Sequence, residues 1–137
     1  MSRHEARILA FSLIFEREFD DTKALDEIYE TAKEVRDFED DEYVKDVFYG
    51  TQEHEAELLT LIEKYSQGWK VSRISKISLS VIKLALYEML YTDIPLKVTI
   101  NEAVEITKTY DDEKASGFVN GILNSAARDV KEKSLND

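Results

Sequence analysis

Apolar residues recur at intervals of three and four along nearly the whole chain, which is the period of a helix face and not the two-residue alternation of a strand. The sequence has one proline, Pro95, and four glycines, so few residues interrupt this pattern. In the opening segment, Ile8, Phe11 and Phe15 recur at the helical spacing. The sequence therefore predicts an all-α protein.

The length and the helical segments predict one domain, a bundle of about six or seven helices in two subdomains. A chain of 137 residues supplies one hydrophobic core and is short for two ordinary domains. The stretch Ser66–Gly68 is typical of a helix end, and we place the division there, with subdomains at about 1–68 and 69–137. The segment 75–91 is apolar almost all round, which predicts a helix buried among others.

Three local features predict details of this bundle. Gly50 separates two apolar stripes, and we expect a break or kink there. Thr99 and Glu102 have the spacing of a capping box, which predicts a helix start at Thr99. Small residues recur at every fourth position of the last predicted helix, which favours the close approach of a neighbouring helix. They are Gly117, Gly121 and Ser125.

The acidic charge of the chain is concentrated in one segment. A net charge of -11 argues at first against a nucleic-acid ligand, because lysine and arginine drive phosphate binding. Residues 16–57 hold 17 of the 29 acidic and 5 of the 18 basic residues, a segment charge of -12, which leaves the rest near neutral at +1. Exposed charges separated by more than about 10 Å are largely screened. Net charge therefore does not exclude an RNA-binding surface elsewhere.

The sequence predicts a cytoplasmic protein. There is no cysteine for a disulfide, which suits a reducing compartment. The longest apolar stretch, 77–90, contains Lys83 and Glu88, and the N-terminus carries Arg3 and Arg7 where a signal peptide would be apolar. We expect neither a membrane span nor secretion.

The sequence contains few residues of the kinds that enzymes use for catalysis. His4 and His54 are its two histidines, and His54 lies among the acids of segment 53–57, where adjacent side chains of a helix point in different directions and cannot share a metal. No glycine-rich phosphate loop is present. We predict a protein that is not an enzyme and uses no cofactor. A small hydrolase or metal enzyme is the least supported alternative.

Four stretches of the chain closely resemble the NusB family of bacterial transcription antitermination factors. Two short signatures in these stretches are specific to this family: Asn101-Glu102-Ala103, and Phe118-Val119-Asn120-Gly121. The order and spacing of the stretches matter more than any one of them, and together they cover most of the chain. They are 2–15, 72–90, 94–110 and 116–128.

This resemblance implies a factor that binds single-stranded boxA RNA together with NusE, a ribosomal protein of the small subunit. The pair would act in an antitermination complex with RNA polymerase and suppress premature termination, notably in ribosomal RNA operons. The resemblance leaves open whether the chain is a monomer or a homodimer. The alternative from the same fold is a helical module for protein interaction or self-association with negligible RNA binding.

The resemblance also implies which residues contact RNA. Arg3 and Arg7 are four apart and share a helix face at the start of the first helix, with His4 as an accessory. Unpaired bases stack on aromatic rings while cations hold the phosphates, so Phe118 and Tyr110 are stacking candidates, although Phe118 also suits the core and Tyr110 a helix end. The second RNA-facing region comprises Lys108, Tyr110, Lys114, Phe118 and Asn120.

Two asparagines lie within the signatures, one in each. Asn101 is expected to be structural, and Asn120 either structural or an RNA contact, because buried amides need hydrogen bonds. Three departures from the family bear on binding. The opening helix commonly carries more arginine, and Gly117 stands where the family commonly has a lysine, so fewer cations predict weaker and less salt-sensitive RNA binding. Ser78 stands where the family commonly has an acid. The partner-facing candidates, each of which also suits a structural role, are Phe15, Ser78 and Glu88.

Overall fold

The computed structural model describes the backbone of residues 1–136 and the side chains of residues 1–133. Within these residues it contains seven α-helices, one short 3-10 turn at Val71–Arg73, and no β-strand, which confirms the all-α prediction. The helices are α1 (Arg3–Phe19), α2 (Leu25–Arg36), α3 (Glu42–Glu53), α4 (Glu55–Tyr65), α5 (Lys76–Tyr91), α6 (Leu96–Tyr110) and α7 (Glu113–Asn136).

Helix α5 is the centre of the fold. Every residue from Ser78 to Met89 is buried, as the apolar pattern of this segment predicted. The helix packs against α1, α3, α4, α6 and α7, so each of its faces meets a neighbour. Residues of α1, α3 and α7 complete the same core, among them Leu13, Phe48 and Leu123. The outer surfaces of these neighbouring helices are therefore held in place by α5.

The start of α6 differs from the predicted capping box. The helix begins at Leu96, after Pro95, whose fixed φ and missing N–H suit a helix start. Thr99 is buried inside the helix, where its hydroxyl donates to Oε1 of Glu88 at 2.7 Å. Glu102 contacts α1 instead of closing a cap. The capping-box prediction is wrong because the spacing of three also suits residues that bind across helices.

Gly50 does not break its helix, because α3 continues through it to Glu53 and the break to α4 lies at His54. A Cβ added at Gly50 would overlap the ring of Tyr87 on α5. The glycine therefore allows α3 to approach α5 closely. The prediction of a kink at this position is wrong, since the sequence pattern could not show the aromatic ring on the other helix.

No helix in the described part of the chain packs closely against the two glycines of α7. Gly117 and Gly121 are exposed, and a Cβ added at either position would meet no atom within 4 Å. The predicted close approach is therefore wrong for these two glycines within the residues that the structure describes. Among the described helices, none has the length and apolarity needed to cross a bilayer.

Candidate nucleic-acid interface

Arg3 and His4 are both exposed at the first turn of α1. The guanidinium carbon of Arg3 lies 4.6 Å from the ring centroid of Tyr43, a cation–π distance that holds the side chain at the surface. Nδ1 of His4 lies 2.8 Å from Oε2 of Glu102. In the described part of the chain Arg3 forms no ion pair with a carboxylate, so its charge is available to a phosphate.

Arg7 is not part of this exposed surface. Only 1% of the residue is accessible, and its guanidinium contacts two carboxylates: Nε lies 2.7 Å from Oε2 of Glu88, and Nη1 lies 3.0 Å from Oε1 of Glu102. Burial alone would lower the pKa of Arg7, but its hydrogen bond to Glu88 and the nearby negative charges raise that pKa, so it stays charged. The prediction that Arg7 contacts RNA is wrong, because its charge is already neutralised in the core.

Glu88 is the centre of a buried hydrogen-bond network. Its accessible fraction is 0%, and its carboxylate accepts hydrogen bonds from Nε and Nη2 of Arg7, from the hydroxyl of Tyr43 and from the hydroxyl of Thr99. Burial and the adjacent Glu88 charge raise the pKa of Tyr43, which keeps its hydroxyl protonated as a donor. The prediction that Glu88 contacts a protein partner is wrong, because its side chain does not reach the surface.

A groove between α6 and α7 carries the second predicted group of residues. Lys108 and Asn120 are exposed and line it together with Asn101, in a space of about 690 Å³. Asn101 is exposed and its side chain makes no hydrogen bond within the described residues, so the expectation that it is structural is wrong. Oδ1 of Asn120 accepts a hydrogen bond from Asn124 at 3.1 Å, and its exposure leaves the amide N–H groups free to contact a ligand.

Lys114 and Phe118 lie at a different opening, which we call the Trp69 pocket. It lies between the start of α7, the 3-10 turn and the start of α5, with a volume of about 270 Å³. Phe118 is half-buried and packs on the core, while its ring also faces Trp69 at a centroid distance of 6.0 Å. Ser78 is buried and its hydroxyl donates to Asp111 at 3.3 Å, so it lies in the wall of this pocket and not on an open partner surface.

A row of aromatic rings runs along α1 and includes two predicted residues. Tyr110, which is 46% exposed, ends α6 and packs on Phe11 at a centroid distance of 5.4 Å. Phe11 is followed by Phe15 at 6.1 Å and by Phe19 at 4.8 Å from Phe15. Phe19 is 63% exposed. The row gives Tyr110 a packing role at a helix end and leaves an apolar surface at the end of α1.

Sequence reasoning missed three residues of these surfaces. Glu102 binds both His4 and Arg7, although its spacing had suggested a cap. Trp69 and Arg73 line the Trp69 pocket, and both follow the predicted helix end at Ser66–Gly68. An aromatic residue and a nearby cation after a helix end could have indicated a binding surface. Their proximity to Phe118 depends on the tertiary fold, which the spacing of residues does not show.

Comparison with known proteins decides the family. The sequence model of the protein family described as "NusB family" matches residues 4–128 of this chain. The chain belongs to the NusB family. One relative, the transcription antitermination protein NusB of Acetivibrio thermocellus, is 41% identical over 130 residues, covering 93% of this chain and 90% of that protein. The NusB family acts in transcription antitermination, a regulatory and non-enzymatic role.

Solved NusB structures share this fold. NusB of T. maritima has a TM-score of 0.82 at 33% identity, with 93% of this chain and 92% of that chain covered. A crystal structure of the antitermination factors NusB and NusE in complex with dsRNA has a TM-score of 0.82 at 24% identity, covering 93% of this chain and 98% of that one. At that identity the second likeness shows the fold alone.

Proposed function

We propose that this NusB-family chain binds single-stranded boxA RNA together with a NusE-type ribosomal protein, as part of an antitermination complex with RNA polymerase in the cytoplasm. In this complex it would suppress premature termination, notably in ribosomal RNA operons. The observation that carries the proposal is a set of exposed cations in an otherwise acidic protein, Arg3 at the start of α1 and Lys108 and Lys114 around the α6–α7 junction.

The position of α1 beside α6 supports one continuous RNA path. His4 contacts Glu102 of α6, and Lys108 follows six residues later on the same helix, a rise of about 9 Å at 1.5 Å per residue. The RNA backbone would pass from Arg3 along the α6–α7 groove to Lys114. The acidic segment 16–57 would repel phosphates and so favour this side of the molecule.

The aromatic row of α1 is the partner surface in this proposal. Phe15 is half-buried and Phe19 is exposed, with Nζ of Lys76 5.0 Å from the Phe19 ring centroid. An apolar ring bordered by a cation is typical of the aromatic anchors found in protein interfaces. The alternative, a protein-interaction module that binds no RNA or self-associates as a homodimer, would use the same exposed ring.

We expect Arg3→Ala and Lys114→Ala each to weaken binding of boxA RNA about five- to tenfold at low salt, equivalent to about 1–1.4 kcal/mol. Each variant loses one phosphate contact, so the slope of log affinity against log salt should become shallower by about 0.7. Fluorescence anisotropy of labelled RNA at several salt concentrations measures both quantities.

Lys131→Ala is the matched control for these variants. Lys131 is exposed on α7, 17 residues beyond Lys114, which is about 25 Å along the helix. All three variants should unfold at the temperature of the unmodified protein, since none of these side chains is buried. If Arg3→Ala and Lys114→Ala bind RNA as tightly as Lys131→Ala does, the proposed RNA path is incorrect.

A further inference from the structure

We propose that the Trp69 pocket holds one unpaired nucleobase, stacked against Trp69 and Phe118, with Arg73 and Lys114 holding the flanking phosphates. This inference rests on the proposed RNA-binding function and adds two residues, Trp69 and Arg73, that the sequence analysis did not assign. It also gives Phe118 a specific partner at its exposed edge.

The two rings form the corner of the pocket. Trp69 is 54% exposed and its ring meets that of Phe118 at an interplanar angle of 63°, so a flat group stacked on one ring meets the other at its edge. Ligand pockets for drug-sized molecules measure about 300–1,000 Å³. The volume of about 270 Å³ is below that range and suits a single planar base.

The backbone that carries Trp69 is held in place before any ligand binds. Ser66 is buried, and its hydroxyl donates to the carbonyl of Trp69 at 2.9 Å, while the N–H of Trp69 donates to the carbonyl of Ser66 at 3.2 Å. Gly68 adopts a φ of 94°, which glycine reaches without strain, and this turn directs the chain to Trp69. A preorganised backbone loses little entropy on binding, which favours affinity.

Two carboxylates and two cations line the pocket, and one of the carboxylates, Asp112, accepts the N–H of Ala115 at 2.7 Å. The carboxylate of Asp111 accepts hydroxyl hydrogen bonds from Ser75 at 2.7 Å and from Ser78 at 3.3 Å, so one wall is polar and internally bonded. Arg73 and Lys114 are exposed, and neither forms an ion pair within the described residues. Both carboxylates are already bonded within the protein, whereas both cations lack an ion-pair partner among the described residues. The phosphates next to a bound base would therefore meet the two cations.

RNA is the occupant that these observations favour over a protein segment. An apolar protein side chain would fill the corner between the rings but would leave both rim cations without partners. Lys114 lies in the first turn of α7, directly after Glu113, and its exposed charge is available to a phosphate. A protein segment bound in the pocket would be recognised because the partner protein alone would then change the emission of Trp69.

Trp69 is the one tryptophan of the chain, so its fluorescence reports directly on this pocket. A short single-stranded boxA RNA with a terminal dye is titrated into the protein, and RNA anisotropy and tryptophan emission are recorded on the same samples. We expect tryptophan emission to be quenched as the anisotropy rises, with one common dissociation constant. The titration is repeated with a NusE-type partner present, using Trp69→Phe as the blank for the partner's own emission.

Variants separate stacking from charge. Because stacking of a base on an aromatic ring is commonly worth 1–3 kcal/mol, Trp69→Leu should weaken RNA binding about 5- to 150-fold, and Trp69→Phe should retain most of the affinity. Arg73→Gln should make the salt slope shallower by about 0.7. Tyr91→Leu is the matched control, since Tyr91 is also an exposed aromatic but ends α5, whereas the pocket lies at the start of that helix. Its RNA affinity should be unchanged.

The outcomes distinguish this inference from the proposed function. RNA that binds by anisotropy without quenching Trp69, or that binds Trp69→Leu and Tyr91→Leu equally, overturns the base pocket and leaves RNA binding in place. Quenching by the partner protein alone, unchanged by RNA, assigns the pocket to a protein segment and also overturns it. No RNA binding with or without the partner contradicts both proposals.

Discussion

Arg7→Ala is expected to destabilise the protein by about 3–5 kcal/mol, because it leaves the buried Glu88 carboxylate without its cation. Stabilities of 5–15 kcal/mol are usual for a domain, so this loss is a large fraction of the total. The melting temperature should fall by about 10–20 °C. Urea unfolding followed by circular dichroism measures the change.

Arg3→Ala is the matched control for this experiment, since Arg3 lies one helical turn earlier and is exposed. It should change stability by less than about 0.5 kcal/mol. The single variant Glu88→Gln and the double variant Arg7→Ala/Glu88→Gln complete a thermodynamic cycle, and a coupling of about 1 kcal/mol or more is expected for residues in direct contact. If the Arg7→Ala protein has normal stability but binds RNA more weakly, Arg7 does not have this structural role and contacts RNA instead.

Gly50→Ala is expected to cost about 1–3 kcal/mol, although alanine is ordinarily the better helix former. The added methyl group would overlap the ring of Tyr87, whose hydroxyl donates to Asp46 at 2.7 Å and holds the ring in position. Helices α3 and α5 would have to move apart or the ring would have to leave its site. Urea unfolding of the variant measures the cost.

Gly121→Ala makes the matched comparison, because Gly121 is also inside a helix and a Cβ there meets nothing within 4 Å. It should stabilise the protein by about 0.5–1 kcal/mol through helix propensity alone. The double variant Gly50→Ala/Tyr87→Leu should recover part of the lost stability, since the smaller side chain makes room for the methyl group. Equal effects of Gly50→Ala and Gly121→Ala would show that the contact with Tyr87 is unimportant.

The helices could be predicted from the sequence because the spacing of apolar residues that indicates a helix is a local pattern. The apolar run at 75–91 indicates burial on all sides of a helix, and the structure places α5 at the centre of the fold. Gly50 could not be interpreted in this way, because its role depends on Tyr87 of another helix. The division into subdomains at about 1–68 and 69–137 stays a prediction.

The candidate site was predicted less completely because exposure is a tertiary property. The spacing of Arg3 and Arg7 places them on one helix face, but it does not show that α5 and α6 cover the second arginine. Arg7 meets Glu88 across 81 residues of sequence, a contact that no local pattern indicates. Trp69 likewise forms the corner of its pocket with Phe118, which lies 49 residues away in the sequence.

The most direct test of RNA binding with a NusE-type partner is a fluorescence anisotropy titration of labelled boxA RNA at two salt concentrations. The chain is added alone and then with an equimolar amount of the partner. We expect binding that weakens with salt, with a slope of about -0.7 per phosphate contact, and that tightens when the partner is present. The absence of RNA binding under every condition, from protein shown to be folded, would contradict the proposed function and favour the protein-interaction module.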